Sequence, residues 1–206
     1  SYLEIGCFNN ELFNYINCQK KVGVDPYSGG TIRKTSDDFF LKSKETFDCI
    51  FIDGLHVYQQ VKKDIINSLK SLNQNGVIFI HDCLPNNIFD QAVPRPKFIW
   101  NGEVWKAIVE FRTLDHVDTY TCYADMGIGI VLKRKNKKNR IYFSIHIENI
   151  PLKKGLLRGR MGQNTEFSDG SQELCSSFFI CVVKSFESMY TENAMIHPME
   201  KPAQTR

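Results

Sequence analysis

Four short apolar runs limit what this chain can fold into: Tyr2–Ile5, Lys21–Val24, Phe47–Ile52 and Val77–Ile80. Runs of this length without polar alternation suit strands buried on both faces. Between them lie stretches with helical spacing. Asn9–Ile16 carries Leu12, Phe13 and Ile16, and Val57–Leu72 carries Val57, Val61, Ile65, Ile66, Leu69 and Leu72 on one stripe. Strand and helix in alternation predict an α/β fold, a doubly wound and mostly parallel sheet with helices on both sides. Asp25-Pro26 and Ser28-Gly29-Gly30 end the second strand, and Asn75-Gly76 is predicted to cap the long helix. Pro85–Trp100, with Pro94-Arg95-Pro96, reads as a long loop over the strand ends, followed by a helix from about Gly102 to Arg112. Asp118–Ala124 and Ile128–Lys133 are joined only by Asp125-Met126-Gly127, which is short enough to demand a C-terminal antiparallel hairpin.

Composition narrows the classes. With 206 residues, 42% hydrophobic and 24% charged, the chain suits one main domain, placed at 1–134. Residues 135–206 lose the pattern and read as an irregular or poorly ordered extension, with one apolar island at Cys175–Val183. The +3 charge is scattered, densest at Lys133–Arg140, with no basic stripe interleaved with aromatics, so nucleic acid is not an expected partner. No apolar run approaches the ~20 residues of a membrane-spanning helix, so no membrane partner is expected either. Seven cysteines, odd in number and without CxxC spacing, read as reduced, buried thiols of a cytoplasmic protein. The first strand begins at the second residue, from which upstream sequence is expected.

In doubly wound sheets ligands bind outside the carboxyl ends of the strands. Those ends are acidic here: Asp25, Asp53 and Asp82, with Glu4 inside the first run. Gly6 permits close backbone approach, and Asp25 follows roughly 20 residues later, the distance at which an acid meets ribose hydroxyls. Gly6-Cys7-Phe8-Asn9 lacks the GxGxxG that seats a pyrophosphate. An adenosine cofactor with a cationic sulfonium and no phosphate suits such a rim better.

Five blocks carry a family resemblance: Leu3-Glu4-Ile5-Gly6-Cys7, Val22–Pro26, Thr35–Phe40, Phe47–His56 and Gly76–Asp82. In order and spacing they resemble class I S-adenosylmethionine-dependent methyltransferases, over roughly Tyr2–Lys133. The Asp-Gly-x-His and strand-end His-Asp blocks are similar to the branch with glycan and small-molecule O-methyltransferases. The resemblance implies a Rossmann-like sheet. By it, Glu4 and Gly6 border the methionine part of S-adenosyl-L-methionine, Asp25 holds the ribose, and Asp37, near the third strand's end, meets the adenine. Asp53 belongs to the same cofactor-binding rim. The chain departs from the pattern at Cys7-Phe8, where a second small residue is usual.

Methylating a hydroxyl requires its proton to leave, and His56 and His81 are the candidate catalytic bases. Asp53 and Asp82 are candidate metal ligands, holding Mg2+ that would acidify the hydroxyl instead. Plainer roles stand beside these. Asp25 and Asp37 can cap loops, Asp53 can cap the following helix, and His81 can be a satisfied core histidine, while Trp100, Trp105 and Phe111 suit packing. The expected function is O-methylation of a sugar or another small hydroxylated metabolite. An oxygen-dependent hydroxylase on the same scaffold, a nicotinamide oxidoreductase and a catalytically inactive cofactor-binding fragment are the alternatives.

Overall fold

A computed structural model describes residues 1–136. The expectation for the C-terminal extension, including the island at Cys175–Val183, lies outside the described residues, apart from its first two positions. Ten elements follow in order: β1 (Tyr2–Ile5), α1 (Glu11–Tyr15), β2 (Lys21–Val24), α2 (Ser36–Lys42), β3 (Phe47–Ile52), α3 (Tyr58–Lys70), β4 (Leu72–Ile80), α4 (Val104–Phe111), β5 (Asp118–Cys122) and β6 (Ile128–Leu132).

The strands form one sheet in the order β2-β1-β3-β4-β6-β5. β1 pairs in parallel with β2 on one side and β3 on the other, and β4 continues the parallel half. β6 enters antiparallel beside β4 and carries β5 at the edge, the hairpin expected from its short connection. The fold is therefore the Rossmann-like, doubly wound sheet that the apolar runs predict.

Alternation along each strand divides the core. Leu3, Ile5, Ile50, Ile52, Ile78 and Ile80 face α3 and α4, where Val61, Ile65, Ala107, Ile108 and Phe111 meet them. Tyr2, Cys49, Phe51, Val77 and Phe79 face the other way, with Leu12 and Phe13 of α1 and Ile16 just after it. Glu4 shares this second face, since it alternates with Leu3 and Ile5.

Three details correct the sequence reading. Asn75-Gly76 does not cap a helix: α3 stops at Lys70, and both residues lie within β4. β4 pairs Leu72 with Phe47 and Val77 with Cys49, and the surplus residues are absorbed by a register shift in which Asn75 takes a positive φ of 64°. The helix α2 was not anticipated, although Thr35 supplies its cap by accepting from Asp38 N at 3.1 Å. Finally, Cys7, Cys49 and Cys83 are buried thiols, but Cys18 is exposed. Among the described residues no helix is long and apolar enough to cross a membrane.

Candidate active site

The sheet reverses its winding between β1 and β3, and the turn leaving β1 sits against the turn leaving β3. Gly6 N donates to Val24 O at 2.9 Å, and Asp53 N donates to Ile5 O at 2.8 Å. Gly6 has a φ of +83°, and a Cβ there would lie 2.1 Å from Asp53 O. Only glycine satisfies both the conformation and the spacing. The turns carrying Gly6, Asp25 and Asp53 thus meet at the carboxyl ends of their strands, with Glu4 inside β1.

Their chemical states differ. Glu4 is 2% exposed and accepts from Tyr2 Oη at 2.5 Å. Burial is the main influence on its carboxyl, and the nearby Asp53 charge adds to it. Together they outweigh the hydrogen bonds from Tyr2 and Cys7 and raise it from the ordinary 4.5 to about 7. Asp25 is turned into the loops: Oδ2 accepts from Cys7 N at 3.0 Å and Phe8 N at 3.1 Å, and Oδ1 from Tyr27 N at 2.8 Å and Ser28 N at 2.9 Å. Burial opposes its charge, but these backbone donors hold the carboxyl below its usual range. Its acceptor positions are filled, so a ribose hydroxyl would have to replace one of them. The capping role weighed for Asp25 is the one the contacts display.

Asp37 lies elsewhere than expected. It is not at the third strand's end but in the first turn of α2, because Thr35 starts a helix there. Its carboxylate is held toward α3 by Gln60 Nε2 and Lys63 Nζ, both at 3.1 Å.

The turns after β3 and β4 bring together two imidazoles and two carboxylates. His56 Nε2 is 3.2 Å from Asp53 Oδ1 and 3.4 Å from Asp82 Oδ2. His81 Nδ1 is 3.4 Å from Asp53 Oδ1 and 3.3 Å from Asp82 Oδ2. Each ring is pinned through its other nitrogen. His56 Nδ1 is 2.9 Å from Trp100 O, and a carbonyl can only accept, so that nitrogen carries the proton. His81 Nε2 is 2.5 Å from Asp125 Oδ2. The inward nitrogens are then either second donors, in imidazolium form, or lone pairs pointing at anions. Burial opposes charge on both rings, but Asp53 and its neighbours raise both, His81 well above its ordinary value. Asp53 is lowered in turn: burial resists its charge, and His81 and His56 overcome it.

Support from outside the strand ends is extensive. Asn101 Nδ2 donates to Asp82 Oδ1 at 2.9 Å, and Asp82 has a positive φ of 63°. Trp100 stacks on His56 with centroids 5.4 Å apart, so it serves the site as well as the packing. Sequence reasoning missed Asp125 and Asn101. Asp125 lies in the β5–β6 turn, where aspartate is ordinary, and only the insertion of β6 beside β4 carries it to His81. Asn101 sits in a stretch without periodicity and gave no signal.

Asp53, His81 and Asp82 each offer one donor atom, and these atoms all lie within 4.8 Å of one another. A divalent cation fits this set of one imidazole and two carboxylates, with His81 oriented by Asp125 in the manner of a metal ligand's outer partner.

Residues 21–83 match the family described as a methyltransferase domain. Over those residues the chain is similar to a methyltransferase domain. The match takes in β2, β3, β4 and the acids Asp25, Asp53 and Asp82, and agrees with the class I S-adenosylmethionine-dependent resemblance read from the sequence. A search of curated proteins finds no relative. Among solved structures the chain is similar to an O-methyltransferase of Klebsiella pneumoniae described as putative, at 13% identity, covering 66% of this chain and 72% of that one, TM-score 0.47. It is also similar to an O-methyltransferase of Bacillus cereus in complex with SAH, at 13% identity, 64% and 73% coverage and TM-score 0.46. A Corynebacterium glutamicum protein matches at 13% identity with TM-score 0.38 over 52% of this chain, which spans about half (49%) of that protein's length.

Proposed function

We propose that this chain binds S-adenosyl-L-methionine at the Gly6–Asp53 crevice and transfers its methyl group to a hydroxyl of a small acceptor, a sugar being one candidate. The observation that carries the cofactor class is the use made of the loop after β1. The Cys7 and Phe8 N–H groups, which a pyrophosphate would need, are both spent on Asp25. A nicotinamide dinucleotide therefore has no phosphate cradle there. The acids suit a sulfonium: Glu4 lies beneath the crevice and Asp53 at its mouth, both opposing anions and favouring a cation. Gly6 lets the turns after β1 and β3 pack closely, and Asp25 fixes the loop.

Asp53, Asp82 and His81 would hold a divalent cation, Mg2+ or a metal with more affinity for imidazole. When bound, such a cation lowers the pKa of a coordinated hydroxyl. His56, with its Nδ1 proton committed to Trp100 O, would present Nε2 as the acceptor for that proton. His81, with Nε2 committed to Asp125, would serve better as a ligand than as a base.

Calorimetric titration with S-adenosylhomocysteine and with NADH tests the cofactor class. Binding of the first alone is expected, and binding of NADH alone refutes the proposal. Mn2+ titration followed by electron paramagnetic resonance tests the metal. Wild type should take up Mn2+ and Asp82→Asn should not, while equal uptake by both would refute the ligand set.

A further inference from the structure

Two imidazoles and two carboxylates of the reaction centre close into a ring. One oxygen of Asp53, Oδ1, lies 3.2 Å from His56 Nε2 and 3.4 Å from His81 Nδ1. One oxygen of Asp82, Oδ2, lies 3.4 Å from the same atom of His56 and 3.3 Å from the same atom of His81. Nitrogen and oxygen therefore alternate around four atoms, and each imidazole reaches both carboxylates.

Asp53, His81 and Asp82 suffice for a hard cation such as Mg2+, and His56 then keeps its Nε2 lone pair. The ring as a whole suits a different ion. Around a four-coordinate ion with bonds of about 2.0–2.1 Å, neighbouring donors stand about 3.3–3.4 Å apart, the edge of a tetrahedron. Around octahedral Mg2+, with bonds of similar length, adjacent donors stand only about 2.8–3.0 Å apart. The separations around the ring, 3.2–3.4 Å, match the first spacing. The donor types agree, since imidazole suits zinc, whereas magnesium prefers oxygen and retains its water. Three members are also held from behind: His81 Nε2 by Asp125, His56 Nδ1 by Trp100 O, and Asp82 Oδ1 by Asn101 Nδ2. Outer partners of this kind orient the ligands of metal sites.

We propose that the ring binds Zn2+ with His56 as a fourth protein ligand, and that zinc so held competes with the hard cation for Asp53, His81 and Asp82. Four protein ligands leave no open position for an acceptor hydroxyl, and His56 no longer has a lone pair to take its proton. Zinc thus shuts the site, a consequence that rests on the methyl-transfer reading above; the binding of zinc does not.

Zn2+ affinity is measured by competition with a chromophoric chelator, Mn2+ uptake by electron paramagnetic resonance, and coordination from the visible spectrum of Co2+ put in place of zinc. Wild type should show the intense visible absorption of four-coordinate Co2+, and Zn2+ should release bound Mn2+. His56→Ala should weaken Zn2+ at least about tenfold, the low end of what losing even an outer partner costs, and still take up Mn2+. A weak, six-coordinate Co2+ spectrum overturns the proposal without recourse to a variant, as does the thiolate band expected of binding at a cysteine such as the exposed Cys18. Equal Zn2+ affinity in wild type and His56→Ala also overturns it, and so does equal loss of Zn2+ and Mn2+, which would give His56 a role in the site's shape alone. Calorimetry of the zinc-free protein with S-adenosylhomocysteine tests the other reading: no binding there, with the zinc results as expected, would leave the ring standing and remove methyl transfer.

Discussion

Replacing Glu4 with Gln should make the protein more stable at neutral pH. Glu4 is enclosed on β1 between Gly23 of β2 and Phe51 of β3, and burial raises its carboxyl from 4.5 to about 7. Between those values the folded protein holds a proton that the unfolded chain has released, so stability falls as pH rises through this window and levels off above it. A difference of about 2.5 units corresponds to about 3 kcal/mol, at ~1.4 kcal/mol per unit. Glutamine removes the ionisation and can still accept from Tyr2 Oη. Urea unfolding of both proteins from pH 4.5 to 8 should show Glu4→Gln gaining up to about 3 kcal/mol on wild type, most of it between pH 5 and 7. Asp64, also raised by burial, to about 6, is present in both and cancels in the difference. A difference that stays constant across the range would refute the argument. In the same variant S-adenosylmethionine should weaken relative to S-adenosylhomocysteine, since only the former is a cation; equal weakening would remove Glu4 from the sulfonium's surroundings.

Further outcomes follow from individual contacts. Gly6→Ala should destabilise by at least ~1–2 kcal/mol from its positive φ alone, with more from the clash against Asp53 O, and should lower the melting temperature measured by calorimetry. Asp25→Ala strands the backbone N–H groups of two loops and should cost on the order of 3 kcal/mol as well as weakening S-adenosylhomocysteine; unchanged stability with lost binding would favour direct ribose contact instead. Thr35→Ala should cost about 1 kcal/mol through the lost α2 cap, read from chemical denaturation.

The parallel half of the fold was legible because its strands are buried on both faces and so must be apolar throughout, as Cys49–Ile52 and Val77–Ile80 are. The start of β4 was not, because Asn73, Gln74 and Asn75 are polar and lie in the register shift between the Leu72–Phe47 and Val77–Cys49 pairs. α2 escaped notice because it is short and buries only Phe39. Asp25 and Asp53 were legible for the same reason as the strands, each being the first polar residue after an apolar run, and Asp82 follows one residue later, after His81, at the end of its own run. Their orientation was not. Asp25 and Asp37 look alike in sequence, yet one is wrapped by backbone N–H groups and the other is tied to a neighbouring helix. The partners of His81 depend on which strand lies beside β4, and that is a matter of topology, which single residues do not encode.

The position of β6 between β4 and β5 has a consequence for biosynthesis. As the chain leaves the ribosome, the parallel half can assemble while the free edge of β4 is still unpaired, and it stays so until Leu132 has emerged. During that interval an apolar strand edge is open to pairing with other nascent chains. Asp125 reaches His81 only when the hairpin docks, so the imidazole cluster is completed in the same late step that closes the sheet.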